Sequence, residues 1–325
     1  MINYILALLP SFIHIHVRKM MGAKIGKGTR IRFGSVIKTK KLVLMENVII
    51  GPVCYLQGES IFIDKSSKIK PISVVSAQKI VIGQYVHIAP AAIISGDRTP
   101  RSEFVIDDHS RVSPFCWIDT GEGVRIGKHV GIGGHTLIFT HGAWHDYLSG
   151  GTMTHKGVEI KDNVWIPWRV FVMPGVKIGK DSTIMANSHV TKSIPENVIA
   201  GGSPAKVLME DALADINYSE KINRTQQILS DYVGYSKEKW SIINKGIESS
   251  IYTIKYEVDE LPCNNKCLFF LIDEDEQQIN QLKNQKATFI IHSQLKYYYN
   301  KPEKTFDRFI LFLRRYGIRL YTIKY

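Results

Sequence analysis

The residues of this chain that are best suited to acid–base chemistry gather in one segment. Residues 139–159 read FTHGAWHDYLSGGTMTHKGVE and are rich in His, Trp, Asp and Gly. A neutral imidazole is the usual general base for taking a proton from a hydroxyl group. His141 and His145 are therefore candidates for such a base. Their residue types alone also fit ordinary surface positions in an inserted loop, so the choice depends on what positions them.

A second set of histidines is compatible with metal binding. His129, His135 and His141 follow one another at intervals of six residues, and His109 precedes them. A catalytic zinc ion needs three protein ligands whose donor atoms converge. Whether these histidines meet is decided by the element that carries them.

A six-residue repeat runs through the first two-thirds of the chain and must position all of these residues. Aliphatic residues recur in eight groups of three: Ile25, Ile31, Ile37; Leu44, Ile50, Leu56; Ile63, Ile69, Val75; Ile82, Ile88, Ile94; Ile106, Val112, Ile118; Ile126, Ile132, Ile138; Ile160, Ile166, Val172; and Ile178, Ile184, Val190. A fixed short period is typical of a stacked solenoid, in which each repeat buries its apolar row only against its neighbours. A helix needs a period of about 3.6. An ordinary β-sandwich would show this spacing only by chance, which is a poor explanation for so many aliphatic residues in phase.

Three hexads predict one triangular coil with a flat side for each hexad. Eight groups then predict a prism of three parallel sheets, with stacked backbones about 4.8 Å apart. Histidines six residues apart lie on different sides of such a prism and cannot converge within one chain. His109 and His129 fall on the same side and supply at most two ligands, where a catalytic zinc needs three.

The last coils carry a more specific signature. Residues 160–206 read IKDNVWIPWRVFVMPGVKIGKDSTIMANSHVTKSIPENVIAGGSPAK. This is similar to the closing coils of bacterial hexapeptide-repeat O-acetyltransferases, whose pattern combines I-G-D-N-V-W-I, P-G-V-x-I-G, S-x-V-T-K and A-G-x-P-A-K segments. Here Lys161 replaces the usual Gly, and His189 lies inside the S-x-V-T-K segment. The resemblance covers roughly residues 23–209 and implies an all-β left-handed parallel β-helix, a known exception to the right-handed crossover rule.

The resemblance also implies a cofactor and an assembly. It implies acyl-CoA as the donor, held along the groove between two prisms of a homotrimer. Carried over by position, Trp165 is expected near the pantetheine arm. Ser203, Pro204 and Lys206 are expected near the nucleotide end, where the ammonium of Lys206 offers a point charge to a phosphate.

The family places its general base just after the third hexad of the coil that precedes the long loop. In this chain that position is His141. Many relatives have the histidine two residues further after the Thr, so the spacing here is imperfect. His145 is the second candidate, because the long loop could fold it back. The loop residues Trp144, Asp146 and Tyr147 are predicted to bind the substrate, because aromatic faces pack against the C–H surface of sugars. The alternative is that the two aromatic rings only anchor the loop.

The repeat suggests which carboxylate orients the base. Asp119 and Phe139 each follow the last aliphatic of a group, one coil apart on the same side of the prism. We therefore predict that Asp119 lies near His141 and supports its imidazole, as carboxylates do in catalytic triads. Asp146 in the loop is the alternative, and an Asp after an aliphatic also fits a simple turn.

Composition bounds the partners and the compartment. The chain has 325 residues, enough for two domains, and a net charge of +12. That charge predicts an anionic partner such as a phosphorylated cofactor, a nucleotide sugar or an acidic membrane face. No nucleic-acid-binding motif accompanies it, so we expect no nucleic-acid partner.

The four cysteines form no secreted disulfide framework, and Cys54 and Cys116 occupy small-residue positions of the repeat. This predicts a cytoplasmic protein.

Residues 1–22 predict an N-terminal helix with two open interpretations. Its apolar stretch is too short to span a bilayer and is interrupted by Pro10. The helix either covers the open end of the β-helix or lies on the inner membrane face, with Arg18 and Lys19 near the headgroups. The two interpretations are compatible with each other.

The remaining chain divides into residues 23–209, the predicted acyltransferase domain with its loop 139–159, and residues 210–325. In the latter, helix-like runs (217–232, 276–285, 304–317) alternate with strand-like runs (250–256, 267–273, 287–293, 318–323). Alternation predicts a small α/β domain. Its role stays open between acceptor binding, docking and oligomerisation.

These observations predict an acetyl-CoA-dependent O-acetyltransferase that modifies a sugar hydroxyl of a cell-surface polysaccharide, with a histidine base and no metal. Two other classes remain as alternatives. One is a non-catalytic β-helix scaffold that recruits a partner. The other is a trimeric zinc enzyme resembling the gamma-class carbonic anhydrases, whose histidines meet across subunits.

Overall fold

The computed structural model describes residues 2–143, 145–214, 216–249, 252–256, 266–271, 288–291, 297–299, 304–316, 318 and 321–322. The chain forms two compact units, residues 1–214 and residues 215–325. The first unit carries the hexads, and the second carries the region that the sequence predicts as α/β.

The first unit is the left-handed parallel β-helix that the hexads predict. Its strands in chain order are β1 (Lys24–Ile25), β2 (Arg30–Ile31), β3 (Val36–Lys38), β4 (Lys41–Leu44), β5 (Ile49–Ile50), β6 (Tyr55–Gln57), β7 (Ser60–Ile63), β8 (Lys68–Ile69), β9 (Val74–Ser76), β10 (Lys79–Ile82), β11 (His87–Ile88), β12 (Ile93–Ile94), β13 (Glu103–Ile106), β14 (Arg111–Val112), β15 (Trp117–Ile118), β16 (Val124–Ile126), β17 (Gly131–Ile132), β18 (Leu137–Ile138), β19 (His141–Ala143), β20 (Met153–His155), β21 (Val158–Ile160), β22 (Trp165–Ile166), β23 (Phe171–Val172), β24 (Lys177–Ile178), β25 (Thr183–Ile184), β26 (His189–Val190), β27 (Val198–Gly202) and β28 (Ala205–Glu210).

Three sheets form the sides of the prism. Sheet 1 has the order β1-β4-β7-β10-β13-β16-β21-β24, sheet 2 the order β2-β5-β8-β11-β14-β17-β22-β25-β27-β28, and sheet 3 the order β26-β23-β18-β15-β12-β9-β6-β3. Every third strand pairs in parallel with the one below it, and the hexad aliphatics fall in register, as Ile88 does with Val112. The aliphatic rows form one continuous buried core.

The small residues of the repeat close the corners between coils. The hydroxyl of Ser110 donates to the Gly127 carbonyl at 2.7 Å and accepts from the Val130 N–H at 2.9 Å. Cys54 and Cys116 are buried free thiols in equivalent places, as expected for core packing. A buried backbone group needs a partner, so small hydrogen-bonding side chains suit these positions.

The stack continues beyond the eight predicted groups. Ile194 bridges to Ile178, and Ala200 in β27 pairs with Ile184 in β25. The sequence pattern missed this partial ninth coil because Ala200 is not one of the branched aliphatics that carry the repeat. Strand β28 then returns antiparallel to β27.

Two helices, α1 (Ile2–Ala7) and α2 (Ser11–Met20), cover the first coil. The Gly34 N–H donates to the Ala7 carbonyl at 2.7 Å, and the Ile31 N–H donates to the Ser11 hydroxyl at 3.1 Å. These contacts satisfy backbone groups that an open end would leave unpaired. The helices therefore act as a cap, the first of the two interpretations.

Arg18 differs from its expected position near lipid headgroups. Its side chain is buried and its Nη2 donates to the Ile37 carbonyl at 2.6 Å, while its Nε donates to His14 Nε2 at 3.3 Å. Burial, with the nearby Arg18 charge adding to it, lowers the pKa of His14 to about 4. Arg18 thus belongs to the cap, and only Lys19 of the predicted pair is exposed. Across the described residues, no helix is both long and apolar enough to cross a bilayer.

The second unit contains the helices α3 (Tyr218–Tyr235) and α4 (Lys304–Leu313) and the strands β29 (Ser241–Ile243), β30 (Gly246–Glu248), β31 (Tyr252–Lys255), β32 (Lys266–Leu271), β33 (Thr288–Ile291), β34 (Tyr297–Tyr299) and β35 (Tyr321–Thr322). The strands form one mixed sheet in chain order. Its core includes Tyr232 of α3, whose ring contacts Phe309 and Phe312 of α4.

Where the structure describes this unit, the predicted runs have counterparts in α3, β31, β32, β33, α4 and β35. The strands β29, β30 and β34 have no counterpart in the predicted runs, because their short, mixed sequences carry no clear alternation. The predicted helix at residues 276–285 lies outside the described residues.

Candidate active site

The two residues predicted as base and orienter meet at the corner between sheets 3 and 1. Asp119 follows β15 and His141 begins β19, one coil later. The Oδ2 atom of Asp119 lies 2.8 Å from Nδ1 of His141. The Asp119 side chain is 4% exposed and that of His141 is 42% exposed. A buried carboxylate thus holds an imidazole whose other edge is open to solvent.

Neutral donors hold the carboxylate in place. Its Oδ2 accepts from the Thr140 N–H at 2.9 Å and from the Thr140 hydroxyl at 2.6 Å. Its Oδ1 accepts from the Gly121 N–H at 3.1 Å. Gly96, one coil below, leaves room for this arrangement, because a Cβ there would clash with Oδ1 of Asp119. Thr140 and Gly96 are site residues that the sequence did not single out.

The charge on Asp119 is favoured by these contacts. Burial alone would raise the pKa of Asp119, but the hydrogen bonds from Thr140 and Gly121 and the nearby His141 hold that pKa below its ordinary value. An ionised carboxylate is a hydrogen-bond acceptor, so it favours the imidazole tautomer that donates from Nδ1. In that tautomer Nε2 carries no proton, which is the arrangement that a general base requires.

The predicted loop 139–159 is a small antiparallel hairpin rather than an irregular segment. Strands β19 and β20 pair, with His141 opposite His155. A short 3₁₀ helix, Tyr147–Ser149, lies between them. Asp146 caps this helix: its Oδ1 accepts from the Leu148 N–H at 2.9 Å and its Oδ2 from the Ser149 hydroxyl at 3.0 Å.

The other loop candidates are less constrained. His145 is exposed, and within the described part of the chain no carboxylate pairs with it. Tyr147 is also exposed. Trp144, predicted to contact substrate, lies outside the described residues. Of the two candidate orienters, the structure brings Asp119 and not Asp146 to His141.

A second imidazole–carboxylate pair, absent from the sequence-based predictions, lies beside the first. Nδ1 of His155 is 3.4 Å from Oε1 of Glu122, and Oε2 of Glu122 is 2.6 Å from Nε of Arg101. The rings of His141 and His155 stack with centroids 6.0 Å apart. No fixed spacing in the sequence signals this pair, because His155 lies in the insertion and Arg101 in the other break of the hexads.

The residues expected to bind the cofactor lie on a different side of the prism. Trp165 is exposed on β22, and Lys206 is exposed on β28, both in sheet 2. Ser203 and Pro204 form the turn between β27 and β28, with a cis peptide bond between them. Within one chain, therefore, this group and His141 do not share a face.

The histidines of the metal interpretation separate as the repeat predicts. His109 and His129 stack at one corner with ring centroids 5.0 Å apart. His135 lies at the next corner against Phe115, and His141 lies at the third. Among the residues that the structure describes, no three His, Cys, Asp or Glu side chains are grouped to hold a metal ion.

The chain is similar in sequence to two galactoside O-acetyltransferases. It is 45% identical over 86 residues to the one from Lactococcus lactis, which covers 26% of this chain and 42% of that protein. It is 36% identical over 115 residues to the one from Escherichia coli, covering 35% of this chain and 51% of that protein. The match thus spans about half the length of these relatives. No model of a known protein family matches the chain.

Solved structures show further similarity. A hexapeptide-repeat-containing acetyltransferase from Vibrio cholerae, complexed with acetyl-CoA, is 28% identical, with a TM-score of 0.35 over 41% of this chain and 71% of that one. The polysialic acid O-acetyltransferase is 19% identical, with a TM-score of 0.38 over 61% and 93%. The sequence matches and the three-sided prism together confirm the resemblance of this chain to bacterial hexapeptide-repeat sugar O-acetyltransferases.

Proposed function

We propose that this protein transfers an acetyl group from acetyl-CoA to a sugar hydroxyl during the synthesis of a cell-surface polysaccharide. The observation that carries the proposal is the 2.8 Å contact between the buried carboxylate of Asp119 and Nδ1 of His141, which leaves Nε2 free at a solvent-exposed corner. The sequence similarity to galactoside O-acetyltransferases supports the same chemistry.

His141 acts as the general base. Its Nε2 takes the proton of the acceptor hydroxyl as that oxygen forms a bond to the thioester carbonyl carbon. Asp119 stabilises the imidazolium that results, without itself taking the proton. As the carbon–sulfur bond breaks, His141 returns the proton to the departing thiol of CoA. Backbone N–H groups of the corner stabilise the negative charge that develops on the carbonyl oxygen. No covalent acyl-enzyme is required.

The cofactor site is assigned to the exposed face of sheet 2. Trp165 offers an apolar surface to the pantetheine arm. Ser203, Pro204 and Lys206 form the nucleotide end, where the Lys206 ammonium faces a phosphate. The separation of these residues from His141 within one chain favours a groove between copies, so we propose a homotrimer in which one prism supplies the base and its neighbour supplies cofactor contacts.

The acceptor is bound by the hairpin at the corner. Trp144 and Tyr147 provide aromatic faces for a pyranose ring. Asp146 fixes the short helix that carries Tyr147. His145 is the base if His141 is not.

The cap helices provide a contact to the membrane. Ile5 of α1, Leu8 in the turn after α1 and Phe12 of α2 are exposed, and Lys19 of α2 is exposed as well. Apolar side chains beside a cation suit the interface of an anionic leaflet. These features support our proposal of a cytoplasmic protein that acts at the inner face of the membrane.

Thiol release from acetyl-CoA tests the proposal. It is measured with the methyl glycosides of galactose, glucose, N-acetylglucosamine and sialic acid and with polysialic acid. Wild type, His141→Ala and the control His16→Ala, an exposed histidine of α2, are compared. We expect acceptor-dependent release that collapses in His141→Ala and persists in His16→Ala.

Three results would change the assignment. Release that survives His141→Ala moves the base to His145. A lack of CoA binding in calorimetry replaces the enzyme by a non-catalytic scaffold. Stoichiometric zinc in the purified protein, with activity lost on chelation, favours an enzyme of the gamma carbonic anhydrase type.

A further inference from the structure

The second imidazole–carboxylate pair has no role in the mechanism above, yet it is built with the same parts. Asp119 and Glu122 come from one four-residue turn. Their partners His141 and His155 face each other across the β19–β20 hairpin. The two rings are nearly parallel, at 15°, with centroids 6.0 Å apart.

Glu122 is as deeply buried as Asp119. Its side chain is 6% exposed, and its two carboxylate oxygens have different partners. Oε2 lies 2.6 Å from Nε of Arg101, and Oε1 lies 3.4 Å from Nδ1 of His155. An ionised carboxylate away from water is destabilising unless charged or hydrogen-bonding groups face it. The loop before β13, which supplies Arg101, therefore fixes the position of Glu122.

The hairpin is fixed against the same turn. The Lys156 N–H donates to the Thr140 carbonyl at 2.9 Å, and the Val158 N–H donates to the Gly123 carbonyl at 3.1 Å. Gly157 sits between them, where a Cβ would lie 2.7 Å from the Glu122 carbonyl oxygen. Backbone hydrogen bonds to Thr140 and to Gly123, which directly follows the turn, therefore fix the chain immediately after His155.

The two rings point in the same direction, and this determines which of their nitrogen atoms face solvent. Both Nδ1 atoms point to carboxylates of the one turn, so both Nε2 atoms point away from it, on the same side. The His141 side chain is 42% exposed and that of His155 is 37% exposed. The corner therefore offers two ring nitrogens side by side, separated by roughly the spacing of the stacked rings.

A sugar ring with two hydroxyl groups on one face matches such a pair of nitrogens. We propose that His155 is an acceptor-positioning residue, whose Nε2 hydrogen-bonds a second hydroxyl of the same sugar whose first hydroxyl gives its proton to His141. This rests on the proposed function and narrows the acceptor to sugars with two hydroxyls close together on one face. The pairing limits acetylation to these two hydroxyls, because the ring must place both of them against the two histidines at once.

The test combines the removal of His155 with the removal of single substrate hydroxyls, in the manner of a double-mutant cycle. The methyl glycoside with the highest rate and each of its monodeoxy derivatives are assayed at saturating acetyl-CoA with wild type and His155→Ala. With wild type, removing the hydroxyl that His155 binds lowers kcat/KM by about 10-fold, the effect of one hydrogen bond in a site. With His155→Ala, the parent sugar is already about 10-fold worse, mainly in KM, and the same deoxy derivative loses less than about twofold more.

Two further variants separate positioning from folding. Gln places an amide near the position of Nε2, whereas Asn places it near Nδ1, so His155→Gln retains more of the acceptor affinity than His155→Asn. His16→Ala is the matched control and leaves both parent and deoxy kinetics unchanged. A merely structural role for His155 would lower the rate for every sugar equally and would not distinguish Gln from Asn.

The outcomes are distinct. Equal losses on the deoxy sugar in wild type and His155→Ala overturn the role of His155 while leaving the transferase intact. A wild type that releases no thiol with any of the sugars overturns the proposed function, and the role of His155 falls with it.

Discussion

The two imidazole–carboxylate pairs at one corner of the prism are built differently. Asp119 contacts His141 at 2.8 Å and has only neutral donors as its other partners. Glu122 lies 3.4 Å from His155 and shares its charge with Arg101. A carboxylate with no competing cation keeps its charge for the imidazolium that forms during proton transfer. A carboxylate that is also paired with a guanidinium stabilises an imidazolium less.

The difference indicates a division of labour within one turn. The first pair suits proton transfer, where a charge appears and disappears on the ring. The second suits binding, where the ring needs a fixed direction more than a change of charge. The following changes test that contrast, from the largest expected effect to the smallest.

Replacing the base should affect turnover more than any other change. His141→Ala should lower kcat by about 10²- to 10⁴-fold, the usual contribution of a positioned general base, with little change in KM. His155→Ala should act mainly on KM. Steady-state kinetics on both variants measure the contrast, which is lost if the two variants show the same pattern.

Removing the charge of the orienting carboxylate should come next. Asp119→Asn presents an amide to Nδ1 of His141, so the ring no longer keeps its proton there and Nε2 loses its basic role. We expect kcat to fall by about 10²-fold, the lower end of what a positioned general base contributes, while the variant stays folded at the assay temperature. A loss within about twofold would remove Asp119 from the mechanism.

A methyl group beneath Asp119 should have a smaller effect. Gly96→Ala forces its Cβ against Oδ1 of Asp119 and to within 2.8 Å of the Thr120 N–H nitrogen. The carboxylate must shift away from His141, so we expect a loss of about 10-fold in kcat and of about 1–3 kcal/mol in the free energy of unfolding. Gly142→Ala is the control, because its Cβ would meet no atom within 4 Å. Equal behaviour of the two variants would contradict the role of Gly96.

The pH dependence of stability should show the smallest effect. The folded-state pKa of Asp119 lies below its ordinary value of about 3.9. Its charge therefore stabilises the fold above that value, and the stabilisation is lost as the pH falls through the folded-state pKa. Asp119→Asn does not titrate, so the difference between wild type and variant in the midpoint of urea unfolding should narrow between about pH 5 and about pH 2. A constant difference would show that the carboxylate is not held ionised by the fold.

Much of the prism and its first pair could be predicted from the sequence. The hexads fix which residues share a side, and this alone placed Asp119 one coil from His141. The same phase separated His109 and His129 from His135. These predictions succeed because every coil repeats the same geometry, so position along the chain converts directly into position in space.

The second pair could not be predicted in the same way. His155 lies in the insertion, where the repeat gives no phase, and its place depends on the hairpin register. Arg101 comes from the other break in the hexads. Glu122 lies in a turn between strands, so no fixed spacing in the sequence relates Arg101, Glu122 and His155. The partial ninth coil was missed for a different reason, since Ala200 is a poor signal of a buried row.

The cap on the first coil has a consequence for the assembly of the chain. Without α1 and α2, the backbone groups of Ile31, Gly34 and Ile37 that they satisfy would form an open row at the end of three parallel sheets. Such a row is a template for another chain's strands. The cap therefore closes this end of the solenoid, and a chain shortened to remove it should self-associate through the exposed end instead of staying discrete.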